Sequence, residues 1–187
     1  MCKLIVAGLA LTGMLAAPAA QAVFADSQKV LSAFTEQGAK AETTGFAIGL
    51  RTADRTHVYF QTGVSYQRIT LKQQPAGYDE GRIRPLFLYG RLGMDWWLSP
   101  YFQAGIDLNG SLMQWLDTNN DSCCHAMART GLELKLHDTI RFELYGNWYN
   151  LRYQSLNMLG RPGSTEYYAD NQRFSRTTVG AQLSLVF

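Results

Sequence analysis

The chain has 187 residues, its 17 Lys and Arg nearly balance its 15 Asp and Glu, and 47% of it is hydrophobic. That suffices for one domain with a large apolar surface, and the formal charge of +2 excludes a polybasic nucleic-acid binder. Beyond residue 22 no continuous apolar run of about 18 residues occurs, which excludes a membrane-spanning helix there.

Residues 1 to 22 have the form of a secretory signal peptide. Lys3 supplies the positive start, Leu4 to Ala17 the apolar core, and Pro18-Ala19-Ala20-Gln21-Ala22 an A-x-A site. Cleavage is expected after Ala22, with Val23-Phe24-Ala25 as a second site, leaving 23 to 187 as one domain. An uncleaved anchor is the competing reading, but the apolar run is short, contains Gly8 and Gly13, and lacks stop-transfer charges.

Seven long segments then alternate with period 2, the signature of strands with unlike faces. Thr44 to Arg51 puts Phe46, Ile48 and Leu50 on one face, and Thr52-Ala53-Asp54-Arg55 is its turn. Residues 57 to 70 put Val58, Phe60, Val64 and Tyr66 opposite Tyr59, Gln61, Ser65 and Gln67, before a loop at 71 to 82. Residues 84 to 97 set Leu86, Leu88, Leu92, Met94 and Trp96 against Phe87, Tyr89, Arg91 and Asp95, with Ser99-Pro100 as the turn. Residues 101 to 116 set Phe102, Ile106 and Leu108 against Gln103, Asp107 and Ser111, and 117 to 123 is a loop by composition. Residues 124 to 136 set Leu132, Leu134 and Leu136 against Arg129, Glu133 and Lys135, and His137-Asp138 turns the chain. The next segment sets Ile140, Phe142, Leu144 and Trp148 against Arg141, Glu143, Tyr145 and Asn147. A loop over 154 to 172 precedes the last strand, where Val179, Ala181, Leu183, Leu185 and Phe187 oppose Thr178, Gly180, Gln182 and Ser184.

Several segments exceed the 5–6 residues usual in soluble sheets, and the connections alternate short and long, as the two sides of a membrane barrel do. Without an apolar helix, a membrane protein made from 23 to 187 must be a closed barrel. Bacterial single-chain barrels have even strand numbers, so an eighth strand must precede Thr44. The candidate is 26 to 36, with Val30, Ser32 and Phe34 alternating against Leu31 and Ala33 and a first outer loop at 37 to 43. The same residues suit an amphipathic helix, which stays open. The expected fold is all-β: an eight-stranded antiparallel up-and-down transmembrane β-barrel.

The leucine-rich face is almost free of charge in its middle, as a lipid-facing belt must be. Trp96, Phe102, Phe142 and Phe187 lie toward the short-turn end, and Tyr66 and Trp148 toward the other, as two aromatic girdles. The opposite face carries Arg51, Arg91, Asp95, Asp107, Arg129, Glu133, Lys135, Arg141, Glu143 and Arg176. Eight strands enclose only enough room for side chains, so these charges are expected to pair as a plug. A narrow path for ions or small solutes is the alternative.

Signal peptide, eight strands, charged lumen and terminal aromatic together resemble the small outer-membrane barrels of the OmpA transmembrane domain and OmpX type. The resemblance is one of pattern over the whole of 23 to 187. It implies outer-membrane location, contact with outer-membrane lipid and lipopolysaccharide, and an assembly signal in Val179, Leu183, Leu185 and Phe187 read by the barrel-assembly machinery. It also implies loops that meet extracellular partners, here 71 to 82 and 154 to 172 with Tyr78, Tyr167 and Tyr168. It implies no catalytic residue.

Cys123-Cys124-His125 is the one constellation with chemical character. In an oxidising envelope a vicinal or intermolecular disulfide of Cys123 and Cys124 is favoured over a metal site, for which the ligands are too few. Some small barrels modify lipid A with a His-x-Ser pair, but the matching triplet here is His125-Ala126-Met127 and lacks the nucleophile; Ser122 or Ser155 would have to substitute. His57 and His137 lie at the short-turn end. Asp117, Asn119 and Asp121 have the opening spacing of a calcium loop without its Gly or later Glu. No cofactor, metal or nucleic acid is expected.

Overall fold

The computed structural model describes residues 27–52, 57–72, 82–108, 126–157 and 168–187. Nine strand segments occur in them: β1 (Gln28–Gln37), β2 (Ala41–Arg51), β3 (Val58–Leu71), β4 (Arg82–Ile83), β5 (Leu86–Met94), β6 (Leu98–Asp107), β7 (Ala126–Lys135), β8 (Ile140–Asn157) and β9 (Tyr168–Val186). β4 and β5 both pair with β3 and form one stave interrupted at Arg84-Pro85. Proline has no N–H to offer a ladder, which accounts for the break. The staves run in the order β2-β1-β9-β8-β7-β6-β5-β3, and β2 pairs back onto β3. Every pairing is antiparallel, and the result is a closed eight-stave up-and-down barrel without a free edge.

β1 completes the ring. It is a strand, not a helix, because both of its edges are used: Ala33 pairs with Phe46 of β2 and with Leu183 of β9. The backbones of Lys29 and Phe187 exchange two hydrogen bonds, 2.7 and 3.0 Å, at the end of that seam. The hairpin to β2 is tight, with only residues 38–40 between the strands, so the expected loop at 37 to 43 shrinks to a turn.

Two other boundaries differ from expectation. Ser99-Pro100 is not a turn, for β6 begins at Leu98 and the reversal lies at 95–97. Ser99 shapes it from within the strand, its hydroxyl accepting from the Trp96 N–H at 2.9 Å and donating to the Trp96 carbonyl at 2.8 Å. Pro100 is tolerated because the β5–β6 ladder starts one residue later, at Gly93↔Tyr101. The expected strand over 101 to 116 is described as far as Asp107. The flanks of the expected loop over 154 to 172, residues 154–157 and 168–172, are strand, since β8 and β9 remain paired from Leu151↔Phe174 to Asn157↔Tyr168; residues 158–167 lie outside the described residues. Those rungs extend past the last β1 rung at Val179 and the last described β7 rung at Asn150, so β9 runs on beyond its β1 neighbour at the end opposite the chain termini. The segment 1–22, Tyr78, Tyr167, and Cys123, Cys124 and His125 with their loop lie outside the described residues.

Alternation gives the wall two chemistries. The outside carries exposed Leu31, Phe46, Ile48, Leu88, Leu92, Phe102, Leu132, Leu144, Trp148 and Leu183, among others. On β3 this apolar face runs from Val58 to Tyr66, about 27 Å of strand, or about 20 Å of height at a 45° tilt. Charges on the outside stand at its rims: Lys29 near the termini, and Glu42, Arg68, Lys72 and Arg84 at the far end.

Candidate functional site

The lumen is where this chain concentrates its chemistry, and its charges form two clusters. In the one nearer the chain termini, Glu133 of β7 is the acceptor. Its Oε1 receives Arg51 Nη1 at 2.8 Å and Arg141 Nη1 at 3.1 Å. Its Oε2 receives the Tyr59 hydroxyl at 3.2 Å and lies 3.5 Å from Arg91 Nη1. Arg51 and Arg141 share a second carboxylate, Asp95, each at 3.2 Å. Arg91 also reaches Gln103 Oε1 at 2.9 Å and lies 3.0 Å from Glu143 Oε2.

Glu36 of β1 anchors the second cluster. Its carboxylate accepts from Arg129 Nη2 at 2.9 Å, Tyr149 OH at 2.7 Å, Thr178 Oγ at 2.7 Å, Asn147 Nδ2 at 3.1 Å and Tyr145 OH at 3.2 Å. Gln182 joins the clusters through its amide. Its Oε1 accepts from Arg129 Nη1 at 2.8 Å, and its Nε2 donates to Glu143 Oε1 at 2.9 Å. A desolvated charge needs an opposite charge and filled hydrogen-bonding positions; the web supplies the charges and most of the bonds, while the Nε groups of Arg51, Arg129 and Arg141 are buried without a hydrogen-bond partner.

Aromatic rings complete the packing. Guanidinium carbons sit 3.5 Å from the Tyr59 ring centre for Arg51, 4.1 Å from Tyr101 for Arg91 and 3.9 Å from Tyr145 for Arg129, within cation–π range. Two glycines make room for these rings. A Cβ on Gly93 would stand 2.6 Å from the Tyr59 ring, and one on Gly180 would stand 2.7 Å from Tyr145. Toward the end away from the termini the lumen turns apolar, with Ala41, Ile69, Phe87, Met127, Tyr149 and Leu151 buried together as a cap. Gln67 lies beneath the cap, its Oε1 2.8 Å from the Tyr149 hydroxyl, whose single hydrogen is shared between it and Glu36.

Accessible surface shows how closed the interior is. Arg51 is 0% exposed, Arg91, Arg129 and Arg141 are each 2%, and Glu36, Glu133 and Glu143 are at most 1%. A water-filled bore would have to wet some of these side chains, and they are dry. A cavity of about 240 Å³ lies instead at the far rim, between Gly38–Ala41 and Ser175–Thr178.

The structure brings Arg51, Arg91, Asp95, Arg129, Glu133, Arg141 and Glu143 into these two clusters. Asp107 is also buried and accepts the Leu86 N–H at 3.0 Å, capping the start of β5. Lys135 and Arg176 stand outside the web. Lys135 bridges to Asp138 of the adjoining turn at 3.2 Å, and Arg176 is exposed and bonds the Ser175 carbonyl. Both have inward parity but sit past the closed part of the lumen. Glu36 is the residue that sequence reading missed; it continues the Val30, Ser32, Phe34 face, and that parity was the available signal. Val179, Leu183, Leu185 and Phe187 lie exposed on the outer face. His57 and His137 are exposed at the termini end, and the His137 ring bonds Thr139 of its own turn.

No family model and no curated protein matches this sequence. Among solved structures, a chain from the de novo design of transmembrane β-barrels aligns over 86% of this chain and 95% of its own, at 10% identity and a TM-score of 0.42. The N-terminal β-barrel domain of Pseudomonas aeruginosa OprF aligns over 86% of this chain and 97% of its own, at 13% identity and a TM-score of 0.45. The barrel assignment rests on the closed ladder of this chain itself.

Proposed function

We propose that this protein is an outer-membrane β-barrel with a sealed lumen, a non-enzymatic surface protein that contributes to membrane integrity and offers its far-end loops to external partners. The observation that carries this reading is the inverted polarity of the wall: a dry, paired ionic web inside and a continuous apolar belt outside. A soluble barrel would present the opposite arrangement, because an exposed apolar patch of this extent draws proteins together in water. In a bilayer the same belt is solvated by lipid, and the closed ladder pairs the backbones of the described staves all round the ring.

Short-turn ends of such barrels face the periplasm and longer connections face outward, which directs the far end of the β8–β9 pair and the loops 71 to 82 and 154 to 172 to the exterior. The described lumen carboxylates are engaged by guanidinium, hydroxyl or N–H donors and are inaccessible to a substrate, which favours a structural over a catalytic role for them. Lipid, lipopolysaccharide and the assembly machinery are the partners this reading requires.

Cell fractionation tests it. The protein should be recovered from outer membranes with its N-terminus at Val23, and should migrate faster unheated than boiled on a gel, as folded barrels do. Recovery from the soluble or inner-membrane fraction with Met1 intact would overturn the proposal.

A further inference from the structure

On the outside of the barrel, register fixes which side chains share a level across β2, β3 and the β4–β5 stave. Ile48, Val64 and Leu88 form one outward row, and Phe46, Tyr66 and Leu86 form the next toward the far end. The Phe46 and Tyr66 rings are 5.6 Å apart. One outward step further along the strand, about 7 Å, the chemistry changes at once to Thr44, Arg68 and Arg84. Thr44 pairs with Arg68. Arg84 faces Arg68 between the rungs Ile69↔Ile83 and Tyr66↔Leu86, and the Gln67 N–H bonds the Pro85 carbonyl at 3.1 Å beside them. Arg68 and Arg84 are both exposed. Lys40 and Lys72 stand just beyond, joined by a backbone hydrogen bond of 2.9 Å, with Glu42 2.9 Å from Lys72 Nζ.

Arg68 and Arg84 thus stand at one level, both exposed, where the apolar belt ends. We propose that Arg68 and Arg84 bind the phosphate of an anionic lipid headgroup in the leaflet around the far rim, with the acyl chains lying down the rows below. Guanidinium groups match phosphate oxygens in pairs, so two arginines at one level can bridge one phosphate. The vertical order of cation, aromatic and aliphatic rows matches a phosphorylated lipid from headgroup to chain. A free phosphate would use only the first of these rows. The proposal rests on the membrane reading above, and its test separates the two.

The protein is folded into phosphatidylcholine vesicles containing, as a minor component, either a bisphosphorylated glucosamine lipid or the same lipid without phosphates. Lipid retained by the protein is then measured by native mass spectrometry, and insertion by the heat-modifiable band. Wild type should retain the phosphorylated lipid and not its dephosphorylated form. Arg68→Gln/Arg84→Gln should insert equally and lose retention on the order of tenfold, with each single variant losing part of it.

Insertion with equal retention by wild type and the double variant, or equal retention of both lipids, overturns the site and leaves the membrane reading standing. Full displacement of the lipid by inorganic phosphate overturns the lipid assignment. Failure of wild type to insert overturns both readings.

Discussion

Glu36 accepts a 2.9 Å hydrogen bond from Arg129 Nη2 and so ties β1 to β7, strands that are not neighbours in the sheet. Four further donors converge on the same carboxylate, and Gln182 carries the connection on to Glu143. Truncating one partner of a buried ion pair leaves the other charge stranded, at about 3–5 kcal/mol. Glu36→Ala is therefore expected to lower the urea stability of the refolded barrel by about that amount. A change under about 1 kcal/mol would remove Glu36 from the centre of the second cluster.

Glu133 makes a second, independent case, since its loss exposes Arg51, Arg91 and Arg141 to one another. Glu133→Ala should also cost about 3–5 kcal/mol in urea titration. Lys135→Ala, two residues along the same face, should stay within about 1 kcal/mol, because the Lys135–Asp138 pair is a surface one. Equal losses for the two variants would contradict the placement of Lys135 outside the web.

The outer belt predicts an asymmetry between solvents. Leu144 is 59% exposed on the outside, midway along the stretch of β8 paired with both β7 and β9. Leu144→Arg should lower folding stability in bilayers by about 2–4 kcal/mol, the penalty for a cation at the midplane. An unchanged bilayer stability would mean that this face does not meet lipid.

Gly180 tests the fit between ring and wall. A Cβ there would lie 2.7 Å from the Tyr145 ring and 2.8 Å from Glu36 Cγ, and Tyr145 is held by its bond to Glu36. Gly180→Ala is expected to cost about 1–3 kcal/mol by overpacking, read as a lower urea midpoint than wild type. Gly146→Ala, where a Cβ meets nothing, should be nearly silent.

Much of the fold was legible because period-2 alternation survives everywhere in a two-faced wall. Even the weakest strand followed from parity, and Gln28–Gln37 occupies the place that an even count demanded. What alternation does not carry is height. Lys135 and Arg176 share inward parity with Glu133 and Gln182, yet sit beyond the closed part of the lumen, because strand stagger decides which inward residues meet. Glu36 escaped notice for a related reason, standing at the end of a short segment read as ambiguous. Ser99-Pro100 looked like a turn by composition, whereas the ladder on one side of Pro100 had already ended. Composition likewise read 154 to 172 as loop, although backbone pairing between β8 and β9 continues into both flanks of that stretch.

The central claim is that the lumen is closed, and ion conductance through a planar bilayer tests it most directly. Four guanidiniums stacked on or bonded to their partners, under an apolar cap of Ile69, Phe87, Met127 and Leu151, leave an ion no wet route. Wild-type protein, inserted and verified as folded, should show no steady conductance at any moderate voltage. A stable, ohmic pore in the wild type would contradict the sealed lumen and require the ionic web to be a lining, not a plug.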